Sequence, residues 1–157
     1  MTNDKVIIAG GGIGGLTLGL TFHQIGVPFV VLETWSEMRP LGVGINIQPN
    51  AVRELFDLGL TADILDTIGV PVKEWALVGL NGREVYAEAR GLDAGYNWPQ
   101  YAVHRGELHM LLYRTLVERA GQESVILDAK VDSYLKQPSG GVSVSVKKGD
   151  GSTSQEL

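Results

Sequence analysis

The chain has 157 residues, the size of one domain, and its 13 Lys and Arg against 18 Asp and Glu give a formal charge of -5. That balance argues against a nucleic-acid or anionic-membrane partner, because both recognise a cationic surface, and no apolar run approaches the ~18–20 residues of a membrane span. The absence of cysteine excludes disulfides, thiolate metal sites and cysteine nucleophiles and fits a cytoplasmic protein, while 21 glycines are roughly twice the usual ~7%.

Residues 5–9 are an unalternating apolar run, as in a strand buried on both faces. Glycines fill most of positions 10–15, and residues 16–25 read as a helix stopped by Gly26 and Pro28. A second buried strand follows at 29–32, finished by Glu33. Strand, glycine turn, helix and strand in about 30 residues form a βαβ unit. Residues 38–47 read as a loop carrying Gly42 and Gly44, and Pro49 opens a helix that ends at Gly59. Thr61 is placed to cap a short helix bearing Ile64, Leu65 and Ile68.

Between 74 and 89 the pattern turns to strands around Asn81-Gly82, a strong hairpin signal. Residues 106–120 give a longer helix with Leu108, Leu111, Leu112 and Leu116 on one face. Residues 124–127 are expected to rejoin the parallel sheet, and 131–135 and 142–146 to form alternating strands. Gly149-Asp150-Gly151 reads as a turn whose return strand begins at Ser152. The sequence stops inside that partner, and on this ground the chain is read as the first portion of a longer protein, with an unfinished sheet edge that favours self-association.

The turn at 10–15 satisfies G-x-G-x-x-G with Gly10, Gly12 and Gly15 in the three roles. The first allows the tight turn, the second lets a pyrophosphate approach the helix N-terminus, and the third lets helix and strand pack closely. Glu33 stands 18 positions after Gly15, where a carboxylate can accept hydrogen bonds from an adenosine ribose. The motif in this setting points to a bound dinucleotide, without saying which.

Arg105 lies at the start of the 106–120 helix, where a cation opposes the helix dipole. Either an anion such as a phosphate neutralises it, or it is a solvated side chain pairing with Glu107 or Glu54. Arg39 is open in the same way, between a surface arginine and a site residue. Gly42-Val43-Gly44 suggests either a backbone approached by something flat or a loop needing positive φ. His23, His104 and His109 have no ligand spacing and are read as structural or solvated, so no metal site is expected. Trp75 and Trp98 are read as core or interface residues, and Trp35, just after Glu33, either borders an adenosine or packs a surface.

Four strings resemble the single-component FAD-dependent aromatic hydroxylases, the group A flavoprotein monooxygenases. They are residues 6–16 (VIIAGGGIGGL), 31–33 (VLE), 39–51 (RPLGVGINIQPNA) and 101–108 (YAVHRGEL), and the likeness extends over essentially the whole chain. Residues 39–51 and 99–108 look particularly like phenazine-modifying members of that family.

The resemblance implies an α/β fold, a Rossmann-like FAD-binding βαβ domain with an added β-hairpin and meander. Residues 1–157 would be the N-terminal portion of that domain, with 72–100 as a hairpin insertion and 129–157 as an incomplete meander. It implies that Gly10, Gly12, Ile13, Gly14 and Gly15 cradle the FAD pyrophosphate and that Glu33 holds the adenosine ribose. Arg39, Val43 and Gly44 would line the flavin side, Arg105 would contact the cofactor, and Val131 would touch the adenine through its main chain.

The implied reaction hydroxylates an aromatic or heteroaromatic small molecule. FAD, reduced by NADH or NADPH, reacts with O2 to a C4a-hydroperoxide, so no catalytic side chain is assigned. The family's Asp-Gly and Gly-Asp motifs lie beyond residue 157, and the chain alone is expected to bind FAD weakly or not at all and not to turn over. The alternatives are a non-oxygenating FAD oxidoreductase or a non-catalytic nucleotide-binding fragment that needs a partner chain.

Overall fold

In the computed structural model of the protein, which describes residues 5–138 and 140–156, the apolar runs become adjacent strands of one parallel sheet. Strand β1 (Val6–Ala9) pairs in register with β2 (Phe29–Leu32), and β2 pairs on its other side with β8 (Val125–Ile126). The chain divides into two compact units. One holds the residues up to Pro40 and those from His109 onward, and the other is Leu41–Leu108.

In the first unit packing on both faces buries β2, which explains its lack of alternation, whereas β1 is covered only in part, with Ile8 buried and Val6 and Ala9 exposed. Val30 and Leu32 pack with Ala129, Val144 and Val146, against which Ile7 and Val131 also rest. On the other side α1 (Ile13–Gln24) buries Leu16, Gly19 and Leu20. Leu116 of α4 (Arg105–Ala120) closes on Gly19 with Phe29 and Val31 nearby, leaving no room for a larger residue there. The helix begins at Ile13 rather than at residue 16, because the glycine turn itself enters the first helical turn.

The end of the unit is an antiparallel meander of β9 (Lys130–Lys136), β10 (Val142–Lys147) and β11 (Thr153–Glu156). Its last turn follows Gly149-Asp150-Gly151, with the Gly151 N–H donating to the Lys148 carbonyl at 2.9 Å. Of the expected 129–157 meander and 1–157 domain, residues 1–4, 139 and 157 lie outside the described residues.

In the second unit, part of the expected 38–47 loop is strand β3 (Gly44–Ile47), and β4 (Gly69–Val72) is a strand that sequence patterning did not mark. Both pair antiparallel with β7 (Gln100–His104), so their partners are distant in sequence. The helices are α2 (Pro49–Asp57) and α3 (Ala62–Leu65). Thr61 precedes α3 but makes no side-chain cap, its hydroxyl being held by Asp63 instead.

The 72–100 segment leaves and returns at a paired position, Val72 opposite Gln100. Within it β5 (Glu74–Val78) and β6 (Glu84–Ala89) form the hairpin. Asn81-Gly82 does not make a two-residue turn. The Gly82 N–H donates to the Gly79 carbonyl and the Gly79 N–H to the Arg83 carbonyl, each at 2.9 Å, and only Gly82 takes positive φ (77°). This is a three-residue connection ending in a left-handed glycine. Trp75 stands exposed on this hairpin beside Tyr86, with ring centroids 5.9 Å apart, so it is not a core residue. The Arg53 guanidinium lies 5.9 Å from the Trp98 ring.

Tyr101 of β7 is 2% exposed, and its hydroxyl donates to Asp66 Oδ1 at 2.7 Å. Burial first, and then the bond to the Asp66 carboxylate and its charge, push the phenol from 10.0 up to about 12. Between those values the folded chain holds a proton that the unfolded chain has released, so stability falls as pH rises through that window. In a Tyr86→Phe background, which removes the other phenol that is raised, by its bond to Glu88, an alkaline absorbance titration should show a late tyrosine step that Tyr101→Phe removes. Persistence of that step in the variant would contradict the assignment.

Among the described residues no helix is long and apolar enough to cross a membrane, and no cluster of three or more His, Cys, Asp or Glu could hold a metal ion.

Candidate functional site

The first unit carries the glycine turn. Gly10 leaves β1 with φ 106°, and its N–H donates to the Leu32 carbonyl at 2.8 Å, which ties the turn to the end of β2. Gly12 is the N-cap of α1 with φ -71° and ψ 178°. The first intrahelical bond runs from the Leu16 N–H to the Gly12 carbonyl at 2.9 Å. The amides of Ile13, Gly14 and Gly15 therefore precede any helical acceptor. No side chain caps them, and the first turn holds no acidic residue. Such a helix start, with the positive end of its dipole uncompensated, suits an anion.

The three fingerprint glycines have different physical grounds. Gly10 is required by its backbone angle, and Gly15 by space: a Cβ there would lie 2.0 Å from the Gly10 carbonyl oxygen. Gly12 is required by neither. Its φ suits any residue, and a Cβ would meet nothing within 4 Å. The fold itself does not ask for glycine at this exposed position.

Glu33 is buried at the end of β2. Its Oε2 accepts the Gly11 N–H at 2.5 Å and its Oε1 accepts the Trp35 N–H at 3.0 Å. A carboxylate offers about four lone-pair sites, so two amides leave it able to accept further donors. The sequence marked Glu33 for a ribose; what the structure shows is that it braces the glycine turn. Beside it is a residue that spacing did not mark: His109 Nε2 lies 2.6 Å from the Gly11 carbonyl oxygen. The only hint was its place on α4 directly after the buried Leu108.

The other first-unit candidates lie differently. Arg39 is exposed, and its Nε and Nη2 donate to Glu37 Oε2 at 2.9 and 2.7 Å. Val131 is partly buried in β9, opposite Val146 and against the core. Trp35 is 71% exposed, as a surface residue.

In the second unit the structure brings Val43, Gly44 and Arg105 together at one end of the β3–β7 pair. Gly44 pairs with His104, and the Arg105 N–H donates to the Val43 carbonyl at 2.9 Å. Gly42, at φ 129°, lies against the Arg105 side chain; a Cβ there would be 3.3 Å from its Cβ, Cδ and Nη1. Arg105 is the first residue of α4 and is exposed, and Val43 is 74% exposed. Glu54 is paired with Arg53 rather than with Arg105. No ion pair of Arg105 occurs among the described residues.

The family described as "FAD binding domain" matches residues 3–155. The phenazine 1,6-dicarboxylic acid hydroxylase PhzS of Lysobacter antibioticus is 46% identical over 134 residues, which is 85% of this chain and 33% of that protein. Among solved structures, p-nitrophenol 4-monooxygenase PnpA of Pseudomonas putida DLL-E4 superposes with a TM-score of 0.82 at 21% identity, over 97% of this chain and 38% of that one. A Klebsiella pneumoniae HpxO complexed with FAD gives 0.69 at 27% identity, over 96% and 37%. The chain thus spans roughly a third of the length of these relatives. The glycine turn, the helix start behind it and the match from residue 3 to residue 155 together place the chain in the FAD binding domain family.

Proposed function

We propose that the chain supplies the adenosine- and pyrophosphate-binding part of an FAD-dependent monooxygenase. That enzyme would use NADH or NADPH to hydroxylate an aromatic or heteroaromatic small molecule, with a phenazine-like ring favoured by the 46% identity to a phenazine hydroxylase. The observation that carries the cofactor reading is Gly12, a glycine that neither the backbone angle nor the packing requires. A residue larger than glycine would project from the helix start into the space a pyrophosphate needs.

The amides of Ile13, Gly14 and Gly15 would donate to the pyrophosphate oxygens, and the dipole of α1 would stabilise their charge. Glu33 would accept from the adenosine ribose with the lone pairs its two amide partners leave free. Arg105, Val43 and Gly44 would serve the flavin side, and the Val131 main chain the adenine. Arg39 would serve the flavin side only after giving up its bond to Glu37. FAD, when bound, supplies the electron transfer and oxygen activation that no side chain provides. The protein's part is to hold, orient and shield it.

The activity is tested with 18O2 in the protein that carries this chain. One labelled oxygen in the product and the other in water, with one NAD(P)H oxidised per turnover, is the expected result. Cofactor oxidation with no label in any organic product would instead indicate an oxidoreductase that does not oxygenate.

A further inference from the structure

Gly11 is held on both sides, at its N–H and at its carbonyl, by side chains from two different elements. Its N–H donates to Glu33 Oε2 at 2.5 Å, and its carbonyl lies 2.6 Å from His109 Nε2. A carbonyl only accepts, so Nε2 must carry the proton, as it does in one neutral tautomer and in the imidazolium. Glu33 comes from the end of β2, and His109 from α4, 98 residues along the chain from Gly11. Glu33 is itself buried, and His109 is half-buried.

Gly11 sits between the two fingerprint positions with opposite demands, Gly10 with positive φ and Gly12 at the helix N-cap. A run of three glycines is the most mobile backbone the code can write, since each loses the most conformational freedom on ordering. Fixing the two peptide planes that flank the Gly11 Cα, one through the Gly11 N–H and the next through the Gly11 carbonyl, removes that freedom before any ligand arrives.

From this we infer that His109 is a positioning residue of the glycine turn, acting with Glu33 to clamp the two peptide units on either side of Gly11 so that the amides at the start of α1 are preset for a pyrophosphate. The inference deepens the cofactor reading above and rests on it for the identity of the ligand. His109 does not touch the ligand in this account. It lowers the ordering cost that a flexible glycine turn would impose on binding.

The test compares the wild-type chain with His109→Leu, which keeps bulk and removes the donor, and His109→Gln, whose amide can donate to the same carbonyl. In ligand-free protein, the Gly11 amide should exchange about tenfold faster in His109→Leu than in wild type, and at close to the wild-type rate in His109→Gln. ADP affinity, read by NMR titration, should fall about tenfold in His109→Leu and recover in His109→Gln. Equal melting temperatures in the two variants would separate this role from general support of the fold.

In the wild type, a proton on His109 Nε2 resolved in the imidazole nitrogen spectrum supports the clamp. A ring protonated only at Nδ1, or a Gly11 amide that exchanges equally in all three proteins, overturns it. Saturable binding of ADP to wild type away from the glycine turn contradicts the cofactor reading, whereas the exchange and ring-proton measurements need no ligand and decide the clamp by themselves.

Discussion

Gly12→Asp is expected to leave the chain at least as stable as wild type while removing its affinity for an adenine dinucleotide. Aspartate is among the best N-cap residues, better than glycine by a few tenths of a kcal/mol. Its charge also complements the uncapped N-terminus of α1, for about a further 0.3–1 kcal/mol. The backbone at Gly12 is already extended, and a Cβ meets no atom within 4 Å, so nothing in the fold opposes the change. The melting temperature should therefore stay level or rise by about 1–4 °C.

Binding should move the other way. The new carboxylate would stand where the pyrophosphate approaches, take the amides for itself and repel the incoming charge. Loss of two charge-assisted hydrogen bonds at about 1.5–3 kcal/mol each corresponds to roughly two orders of magnitude or more in affinity. ADP titration and a thermal melt on the same sample check both signs. A variant that still binds ADP as wild type does would show that Gly12 faces no ligand.

Gly15→Ala tests the opposite kind of glycine. Helix propensity alone predicts a gain of about 1 kcal/mol, since Gly15 lies in the first turn of α1 and alanine is the better helix former. The structure predicts a loss. The added methyl would lie 2.0 Å from the Gly10 carbonyl oxygen, which is backbone and itself tied to β2 through the Gly10 N–H. Separating helix and turn to admit it should cost about 3 kcal/mol, the upper part of the range for overpacking. In a chain of this size that lowers the melting temperature by roughly 6–12 °C. Chemical denaturation measures the change, and a more stable alanine variant would mean that the turn and helix do not pack as described.

The contrast between these two positions shows how far the sequence could be read. The pattern G-x-G-x-x-G places three glycines in a turn between strand and helix, and the structure puts Gly10, Gly12 and Gly15 there. What the letters could not convey is that only the first and last are demanded by the chain itself. The parallel pairing of β1 with β2 was legible because both strands are apolar throughout and separated by a single helix. Strands β3 and β4 were not, because each is completed by β7, far along the chain, and Gly69-Val70-Pro71-Val72 has no alternation to announce it.

The turn at Asn81-Gly82 was placed correctly, but its type depended on which residue took positive φ, and that falls on Gly82 alone. The site itself was half legible. Glu33 is marked by its position after β2, whereas its bond to the Gly11 amide follows from tertiary packing. His109 was legible only as structural or solvated, because its partner is a backbone carbonyl, which has no letter of its own. Arg105 stood out for being a cation at a helix start, and its seat against Gly42 gives that oddity a setting.

The most direct test of the account is an amide NMR titration of the ligand-free chain with ADP and then with FAD, carried into the millimolar range so that weak binding registers. The predicted result is a set of saturable shifts centred on residues 10–16, with Glu33 and its neighbours responding and with the same sites perturbed by both ligands. Shifts of these residues should be absent from Gly12→Asp. Saturable binding that leaves the glycine turn unperturbed would contradict the claim that the start of α1 is built to receive the pyrophosphate of FAD.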